Sequence, residues 1–250
     1  MDLNSIKQYI RYIELDREKV PSFSEYPFKL PAIKNLHRLS FHPQVTFIIG
    51  ENGSGKSTIL ESIAVAYGFN AEGGTKNFNF TSKATHSKLN NYIKVVKGTK
   101  RPRDGFFLRA ESFYNFASNI DDLDSEPFGG PPIIKSYGGI SLHQQSHGES
   151  FFALFQNRFS GNGIYILDEP EAALSPTRQM AMLSIMHELV EEGSQFIIAT
   201  HSPIIMAYPK ARIYEIKEGI ETVTYEDTEH YQVTRAFINN TKKMLKELLE

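Results

Sequence analysis

The sequence predicts an α/β protein in which helices flank a mostly parallel β-sheet. Apolar runs rich in isoleucine, valine and aromatic residues occupy positions 45–49, 164–167 and the first part of 194–206, and they have the composition of buried parallel strands. Polar residues follow each run, and segments with a helical spacing of apolar residues lie between the runs. Because open α/β sheets bind ligands at the carboxyl ends of their strands, these polar residues are the first candidates for a site.

Length and composition are those of an ordinary globular protein. The 250 residues are 40% hydrophobic and 22% charged, which is sufficient for one domain with a full core. The net charge of −2 provides no overall attraction to nucleic acid or to an anionic membrane, and the absence of cysteine excludes disulfides and thiol nucleophiles. No apolar run approaches the roughly 18–20 residues of a membrane span. We therefore expect a single cytoplasmic domain over residues 1–250 without a membrane span.

A glycine-rich loop, GENGSGKST, follows the first apolar run and precedes a segment with helical spacing. It matches the pattern GxxxxGKS/T, in which small residues let consecutive backbone N–H groups surround a phosphate at a helix N-terminus. The residues expected to contact the nucleotide are Asn52, Gly53, Ser54, Gly55, Lys56, Ser57 and Thr58. Lys56 would reach the terminal phosphates, and the Ser57 hydroxyl would bind Mg²⁺. The guanine-reading pattern N/T-K-x-D does not occur in the chain, so ATP is favoured over GTP.

Two carboxylates, Asp168 and Glu169, directly follow the predicted strand 164–167. We expect Asp168 to bind Mg²⁺ and Glu169 to orient and deprotonate the attacking water. A positioned general base typically contributes about 10²–10⁴-fold in rate. The alternative is a solvated acidic pair at the end of a strand.

A histidine, His201, follows the third apolar run in the same manner, and Pro203 then directs the chain away from the sheet. We expect His201 to hydrogen-bond the γ-phosphate or the attacking water. A histidine that only caps the next helix is the alternative.

The segments GENGSGKST, YILDEP and ATHSP, in this order, resemble the ATP-binding-cassette ATPases. The resemblance extends from about Ile10 to Leu249 and is greatest to the compact single-domain AAA-family ATPases of prokaryotes, relatives of recombination and anti-phage cassette ATPases. No sustained heptads for a coiled coil lie between the first two segments, and the 49 residues after His201 are too few for a nuclease domain. The resemblance implies an ATP hydrolase that closes as a homodimer around two ATP molecules.

The resemblance also implies a signature loop within residues 142–155. Ser146, Gly148 and Glu149 match the serine, the second glycine and the final polar residue of LSGGQ or LSGGE, and His147 replaces the first glycine. In the family this loop contacts the γ-phosphate of the ATP that is bound to the other chain. A hydroxyl and bare N–H groups at a helix N-terminus suit that role.

Several details near these motifs have more than one interpretation. His143 and His147 could instead hold a metal on one helix face, or the segment could be a plain polar helix start. Glu111, after the predicted strand 106–108, stands where the family has a metal-sensing glutamine, and it could face Mg²⁺ or form an unrelated salt bridge. The loop at 172–175 reads AALS where the family usually has SALD.

Within the single domain we expect three smaller units. Residues 1–49, with short apolar pieces and prolines, predict an antiparallel β-subdomain that leads to the glycine loop. Residues 112–150 predict a reduced signature lobe with an irregular loop at 121–139, and residues 225–250 predict a C-terminal helical segment. Because the lobe is short compared with those of transporter cassettes, docking on membrane subunits is poorly supported.

Aromatic and basic residues outside the motifs are less specific. Tyr26 or Phe28 could stack on adenine, or both could pack in an edge strand. The basic cluster, which could be a solvated loop or a nucleic-acid contact, consists of Lys94, Lys97, Lys100, Arg101 and Arg103. The sequence therefore supports a working ATPase that drives or gates an unidentified protein or nucleic-acid partner. A slow nucleotide-gated module that holds such a partner is the alternative.

Overall fold

The structure is a computed structural model that describes residues 8–76, 87–125 and 131–250. Within these ranges the strands form a six-stranded sheet and a separate three-stranded sheet. The strands are β1 Ile10–Leu15, β2 Arg38–Ser40, β3 Val45–Gly50, β4 Ile93–Lys97, β5 Asp104–Arg109, β6 Gly163–Asp168, β7 Gln195–Ala199, β8 Arg212–Ile216 and β9 Ile220–Val223. The α-helices are α1 Pro31–Lys34, α2 Lys56–Tyr67, α3 Phe113–Ser125, α4 His147–Ala153, α5 Pro176–Glu191, α6 Pro203–Met206, α7 Glu229–Asn239 and α8 Thr241–Leu249.

The six-stranded sheet has the order β5-β6-β7-β3-β8-β9. The pair β8–β9 is antiparallel, whereas the other neighbouring pairs are parallel. The three apolar runs form β6, β7 and β3 side by side, and every residue of these strands is buried. The prediction of a mostly parallel sheet is confirmed, because β-branched and aromatic side chains suit a strand that is covered on both faces.

Side chains of this sheet alternate between two hydrophobic layers. Phe47 and Ile49 of β3 belong to a layer that includes residues of α3, α4 and α5, whereas Ile48 belongs to a layer with α1, α2 and the three-stranded sheet. In the first layer the rings of Tyr165 and Phe196 lie 5.0 Å apart between centroids. Because both faces are covered, the strand ends are the places where polar chemistry can meet solvent.

The three-stranded sheet has the order β2-β1-β4 and is antiparallel. The expected subdomain at residues 1–49 is therefore corrected in its bounds. The third strand of the small sheet is β4, which lies after residue 49, whereas β3, at the end of that range, belongs to the large sheet. The buried side chain of Gln195 joins the two sheets. Its amide oxygen accepts the N–H groups of Tyr9 and Ile10, and its amide nitrogen donates to two backbone carbonyls. The fully satisfied amide fixes the small sheet against the large one.

The lobe between β5 and β6 corrects the expected loop at 121–139. Helix α3 continues through the first acidic residues, and a short 3₁₀ turn follows the prolines. The carboxylate of Asp124 accepts the backbone N–H groups of Ile133 and Ile134 at 2.6 and 2.8 Å, so this acid anchors the turn instead of marking a solvated loop. Residues 126–130 lie outside the described residues.

Helices α7 and α8 form most of the segment 225–250. Their apolar side chains are largely in solvent, with Val233 55% and Leu248 70% exposed. In the described ranges, no helix is long and apolar enough to cross a membrane.

Candidate active site

The glycine loop connects β3 to α2 and follows the predicted strand, loop and helix order. Gly50, Gly53 and Gly55 have φ angles of 146°, 79° and 105°, a region that side chains with a Cβ atom rarely adopt. At Gly50 a Cβ atom would also lie 2.6 Å from the carbonyl oxygen of Ile216. Glycine is therefore strongly favoured at these positions, and α2 begins at the end of the loop with open N–H groups.

Lys56 is the first residue of α2, and its side chain folds back against the glycine loop. Its side chain is buried, and Nζ donates to the carbonyl oxygens of Gly50 and Glu51 at 2.8 and 2.9 Å. Burial lowers the pKa of Lys56, although the carboxylate of Glu169 acts in the opposite direction. A partly desolvated ammonium group held at the helix start is suited to bind a phosphate anion.

Ser57 and Asp168 are 111 positions apart in the chain and meet at this point. The Ser57 hydroxyl donates to Oδ1 of Asp168 at 3.1 Å. Asp168 is the last residue of β6, and burial raises its pKa to about 7, with the Ser57 hydrogen bond acting in the opposite direction. A bound cation would offset the desolvation of this carboxylate.

The oxygen ligands at this point fit Mg²⁺. A hydroxyl and a carboxylate are the protein ligands that Mg²⁺ commonly keeps in phosphate-binding sites, where phosphates and water complete its shell. Within the described ranges, no group of three or more His, Cys, Asp or Glu residues could hold a metal by itself.

Glu169 has a strained backbone, with a φ angle of 52° in the left-handed region. Its N–H donates to the carbonyl oxygen of Ala199 at 3.0 Å, which ties the end of β6 to the end of β7. The side chain lines a cavity of about 400 Å³ together with Lys56, Ser57 and Thr58. Strain of this kind persists where the surrounding structure holds it, and it is common at functional sites.

His201 follows the end of β7 and lies beside Glu169. Its Nε2 atom is 3.6 Å from Oε1 of Glu169, and its Nδ1 atom is 3.0 Å from Nε2 of His230. Burial lowers the pKa of His201, and the positive charge of Lys56 acts in the same direction. The ring is therefore neutral at neutral pH and offers one N–H donor.

Three residues of this region were missed by the sequence interpretation. The buried carboxylate of Glu171, whose pKa is raised by burial, accepts the backbone N–H of His201. His230 comes from α7, and Arg109 at the end of β5 binds Glu61 at 2.7 Å. The second glutamate of the DEPE segment was a signal for Glu171, whereas no local pattern distinguished the other two.

Glu111 lines the same cavity as Lys56 and Glu169. Its side chain is 80% exposed and lies 3.1 Å from a guanidinium nitrogen of Arg109. The structure thus contains the salt bridge that was one of the two interpretations, at a place from which the carboxylate also faces the cavity.

The signature segment begins helix α4 and does not line the cavity of its own glycine loop. Ser146 is the N-cap residue, and its N–H and hydroxyl donate to Glu149 Oε2 at 3.0 and 2.6 Å. The hydrogen bond from the Ser146 hydroxyl is the main cause of the lowered pKa of Glu149. At Gly148 a Cβ atom would lie 2.8 Å from the carbonyl oxygen of Ala173 and 2.7 Å from Nη1 of Arg178. Glycine is therefore required for close packing against the loop after β6.

The alternative of a metal on one helix face is wrong for the two histidines of this segment. His143 lies in a separate 3₁₀ turn that precedes α4, and its Nε2 atom is 3.0 Å from the hydroxyl of Ser118. His147 is the first residue of α4. The N-cap residue between the two elements is extended, so the two rings do not share a helix face.

A glycine loop after β3, with an aspartate and a glutamate at the end of β6, defines a P-loop ATPase of the ATP-binding-cassette type. Residues 69–206, more than half of the chain, match the AAA ATPase domain family. The chain belongs to this family and is a compact cassette-type ATPase.

Distant relatives and one solved structure agree with this class. The chain is 24% identical over 213 residues to the ribose import ATP-binding protein RbsA of Yersinia pestis, covering 78% of this chain and 39% of RbsA. It is 24% identical over 226 residues to the nucleoside import ATP-binding protein NupA of Lactococcus lactis, covering 82% of this chain and 43% of NupA. The chain spans less than half the length of these relatives. The fold is similar to that of a metal-chelate type ABC transporter in an inward-facing conformation, with a TM-score of 0.50, 15% identity, and coverage of 91% of this chain and 88% of that chain.

Proposed function

We propose that the protein binds Mg-ATP and hydrolyses it to ADP and phosphate. The observation that carries this proposal is the meeting of Lys56, Ser57, Asp168 and Glu169 at one end of the sheet, from two segments more than 100 positions apart. The backbone N–H groups of residues 52–58 would surround the phosphates, and Lys56 would bind the terminal ones. When bound with ATP, Mg²⁺ would neutralise charge on the phosphate oxygens, and Ser57 and Asp168 would hold it.

In this proposal Glu169 is the general base of an in-line displacement. A water oxygen bonds to the γ-phosphorus, the bond to the β–γ bridging oxygen breaks, and the water proton passes to the Glu169 carboxylate. His201 is placed to donate a hydrogen bond to the γ-phosphate or the attacking water. Both side chains come from the ends of neighbouring strands, and the contact between their loops holds them in register.

The two candidate aromatic residues differ in their surroundings. Phe28 is buried and packs edge-on against Tyr92 with 4.9 Å between ring centroids, as in the packing interpretation. Tyr26 is 60% exposed and lines the cavity of the glycine loop. We therefore propose Tyr26 as the ring that stacks on adenine.

The position of the signature segment supports ATP-dependent dimerisation. Ser146, Gly148 and Glu149 do not line the cavity of their own chain, and the side chains of Ser146 and Glu149 are exposed to solvent. In the proposed homodimer, these residues of one chain cover the γ-phosphate that is bound to the other chain. ATP binding would then close the dimer, and hydrolysis would reopen it.

The test is the variant Glu169→Gln. Its amide cannot accept the water proton, so we expect ATP binding to persist while hydrolysis falls by at least about 10²-fold. The variant should also accumulate as an ATP-bound dimer in size-exclusion chromatography. Glu188→Gln, at an exposed position of α5, is the matched control and should behave as the wild type. Wild-type turnover in Glu169→Gln would remove Glu169 as the base.

A second candidate function, a slow module that holds a polyanion, is favoured by a positively charged cavity. This cavity of about 620 Å³ is lined by Lys76, Lys97, Arg101, Arg103 and Arg158 among the described residues. Lys76 and Lys97 lie 4.0 and 4.6 Å from the centroid of one ring, Tyr67, and both burial and the charge of Lys97 lower the pKa of Lys76. The acidic residue in the described lining, Asp104, already binds Arg158 at 3.0 Å.

Nucleic acid is the polyanion that we propose for this cavity, because repeated phosphates would neutralise several crowded cations at once. Fluorescence anisotropy with a labelled oligonucleotide should show binding that weakens by orders of magnitude between about 50 and 200 mM salt. The double variant Lys97→Glu and Arg101→Glu should abolish it, whereas Lys243→Glu on α8 should not. If the protein takes minutes to hydrolyse each ATP, and if the oligonucleotide changes that rate, the slow module is supported. An ATP hydrolysis rate of about 1 per second that does not respond to the oligonucleotide would contradict the slow module.

A further inference from the structure

The histidine after β7 contacts a second histidine from the C-terminal helix. Nδ1 of His201 and Nε2 of His230 are 3.0 Å apart, and the ring centroids are 5.2 Å apart. On its other side, Nε2 of His201 lies 3.6 Å from Oε1 of Glu169. The geometry is thus a row of three side chains that begins at the proposed general base and ends on α7.

The position of His230 in α7 is well defined. Thr228 is fully buried and caps this helix, since its hydroxyl oxygen accepts the N–H of Tyr231. His230 is the second residue of this helix. None of the α7 side chains is fully buried, so the buried cap residue Thr228 is what fixes the start of the helix. The start of α7 is therefore held firmly, and from there His230 contacts His201.

One proton lies between the two rings, and the carboxylate of Glu169 decides which ring donates it. If His201 donated from Nδ1, its Nε2 would present a lone pair to the carboxylate, which is unfavourable. If His230 donates from Nε2, His201 carries its hydrogen on Nε2 and presents an N–H to the carboxylate. Both rings are neutral in this arrangement, in agreement with the lowered pKa values that burial produces at both.

We propose that His230 is a positioning residue, whose Nε2–H donates to Nδ1 of His201 and holds His201 as the tautomer with hydrogen on Nε2. This proposal rests on the proposed role of His201, since that N–H is the donor that faces Glu169 and the γ-phosphate. Within the described residues, the two outer nitrogens, Nε2 of His201 and Nδ1 of His230, have no hydrogen-bond partner. The contact between the rings is therefore the hydrogen bond that selects the tautomers of both.

The tautomer can be measured without any assay of activity. Long-range ¹H–¹⁵N correlation spectra of protein labelled with ¹⁵N-histidine distinguish the two neutral tautomers, and the variant His201→Gln identifies the signals of His201. We expect His201 to carry hydrogen on Nε2 in the wild type. A wild-type spectrum with hydrogen on Nδ1 overturns the proposal, whatever the variants show.

Two variants of His230 separate positioning from packing. His230→Phe keeps a ring without a donor, so His201 should populate both tautomers, and kcat should fall by at least about tenfold while the Kd for ATP stays unchanged. His230→Gln keeps an N–H donor and should restore most of kcat and the wild-type tautomer. The matched control is His187→Phe, which removes a histidine of α5 that contacts Tyr208, and it should change neither the tautomer of His201 nor kcat.

The same data distinguish failure of this inference from failure of the proposed function. If His230→Phe leaves both the tautomer and kcat unchanged, His230 does not position His201. If His230→Phe changes the tautomer while His201→Gln still hydrolyses ATP normally, the hydrogen bond is confirmed and the catalytic role of His201 is wrong. Should His230→Phe fail to fold in thermal unfolding, the wild-type spectrum and His230→Gln still decide the question.

Discussion

Replacement of the buried carboxylate of Asp168 by the isosteric amide should stabilise the protein and remove its activity. In Asp168→Asn the amide oxygen can still accept the Ser57 hydroxyl, which donates to Asp168 at 3.1 Å. The change therefore removes a charge and little else. The variant therefore tests whether the buried charge of Asp168 serves to bind a cation such as Mg²⁺.

The size of the effect follows from the pKa of Asp168. Burial raises it from 3.8 to about 7, a difference equivalent to about 4 kcal/mol at 1.36 kcal/mol per pKa unit. The native state binds this proton more tightly than the unfolded state, so the stabilisation is complete below pH 3.8 and is lost as the pH rises to about 7. Between pH 5.5 and pH 8 the wild type should lose about 2 kcal/mol that Asp168→Asn does not lose.

Thermal unfolding with EDTA at the two pH values measures this difference. For a domain of this size, about 2 kcal/mol corresponds to roughly 4–8 °C in Tm. Asp122→Asn, which removes an exposed carboxylate from α3, should follow the wild type at both pH values. Added Mg-ATP should raise the Tm of the wild type and not that of Asp168→Asn, and hydrolysis by the variant should fall by at least about a hundredfold. Parallel pH dependence of the wild type and Asp168→Asn would refute the reasoning.

Three further variants test the nucleotide site and the dimer. Lys56→Ala should abolish ATP binding in isothermal titration, because the phosphates lose their buried cation, and an unchanged Kd would contradict the P-loop interpretation. Tyr26→Ala should raise the KM for ATP about tenfold or more through lost stacking, and it should leave the binding of tripolyphosphate unchanged. His147→Glu places a carboxylate at an exposed position of the signature segment, where like charge should prevent closure on the γ-phosphate of a second chain. Mixing the inactive Lys56→Ala and His147→Glu proteins should restore up to about one working site per mixed dimer, and normal hydrolysis by His147→Glu alone would exclude the segment from the site.

The local chemistry of this protein could be predicted from its sequence because it depends on residues that are near one another in the chain. The P-loop needs glycine at fixed positions between a strand and a helix, and the positive φ angles of Gly50, Gly53 and Gly55 meet that need. The apolar runs predicted β3, β6 and β7, because a strand buried on both faces requires an unbroken apolar composition. The loop at 121–139 was predicted wrongly because α3 continues to Ser125 and Asp124 binds backbone N–H groups within the lobe, which composition does not reveal.

By itself, the sequence determined the class of the protein and the residue types of its phosphate site. The motifs already assigned Ser57 and Asp168 to one Mg²⁺, and the structure brings the two side chains together. Only the tertiary structure decided two other contacts, that of Glu171 with the backbone of His201 and that of the His201 ring with the His230 ring. It also decided that Asp168 is buried enough to have a pKa of about 7. These contacts arise from the order of the strands and the packing of helices on both faces of the sheet. Burial and long-range pairing are properties of that packing, and no local pattern of residues encodes them.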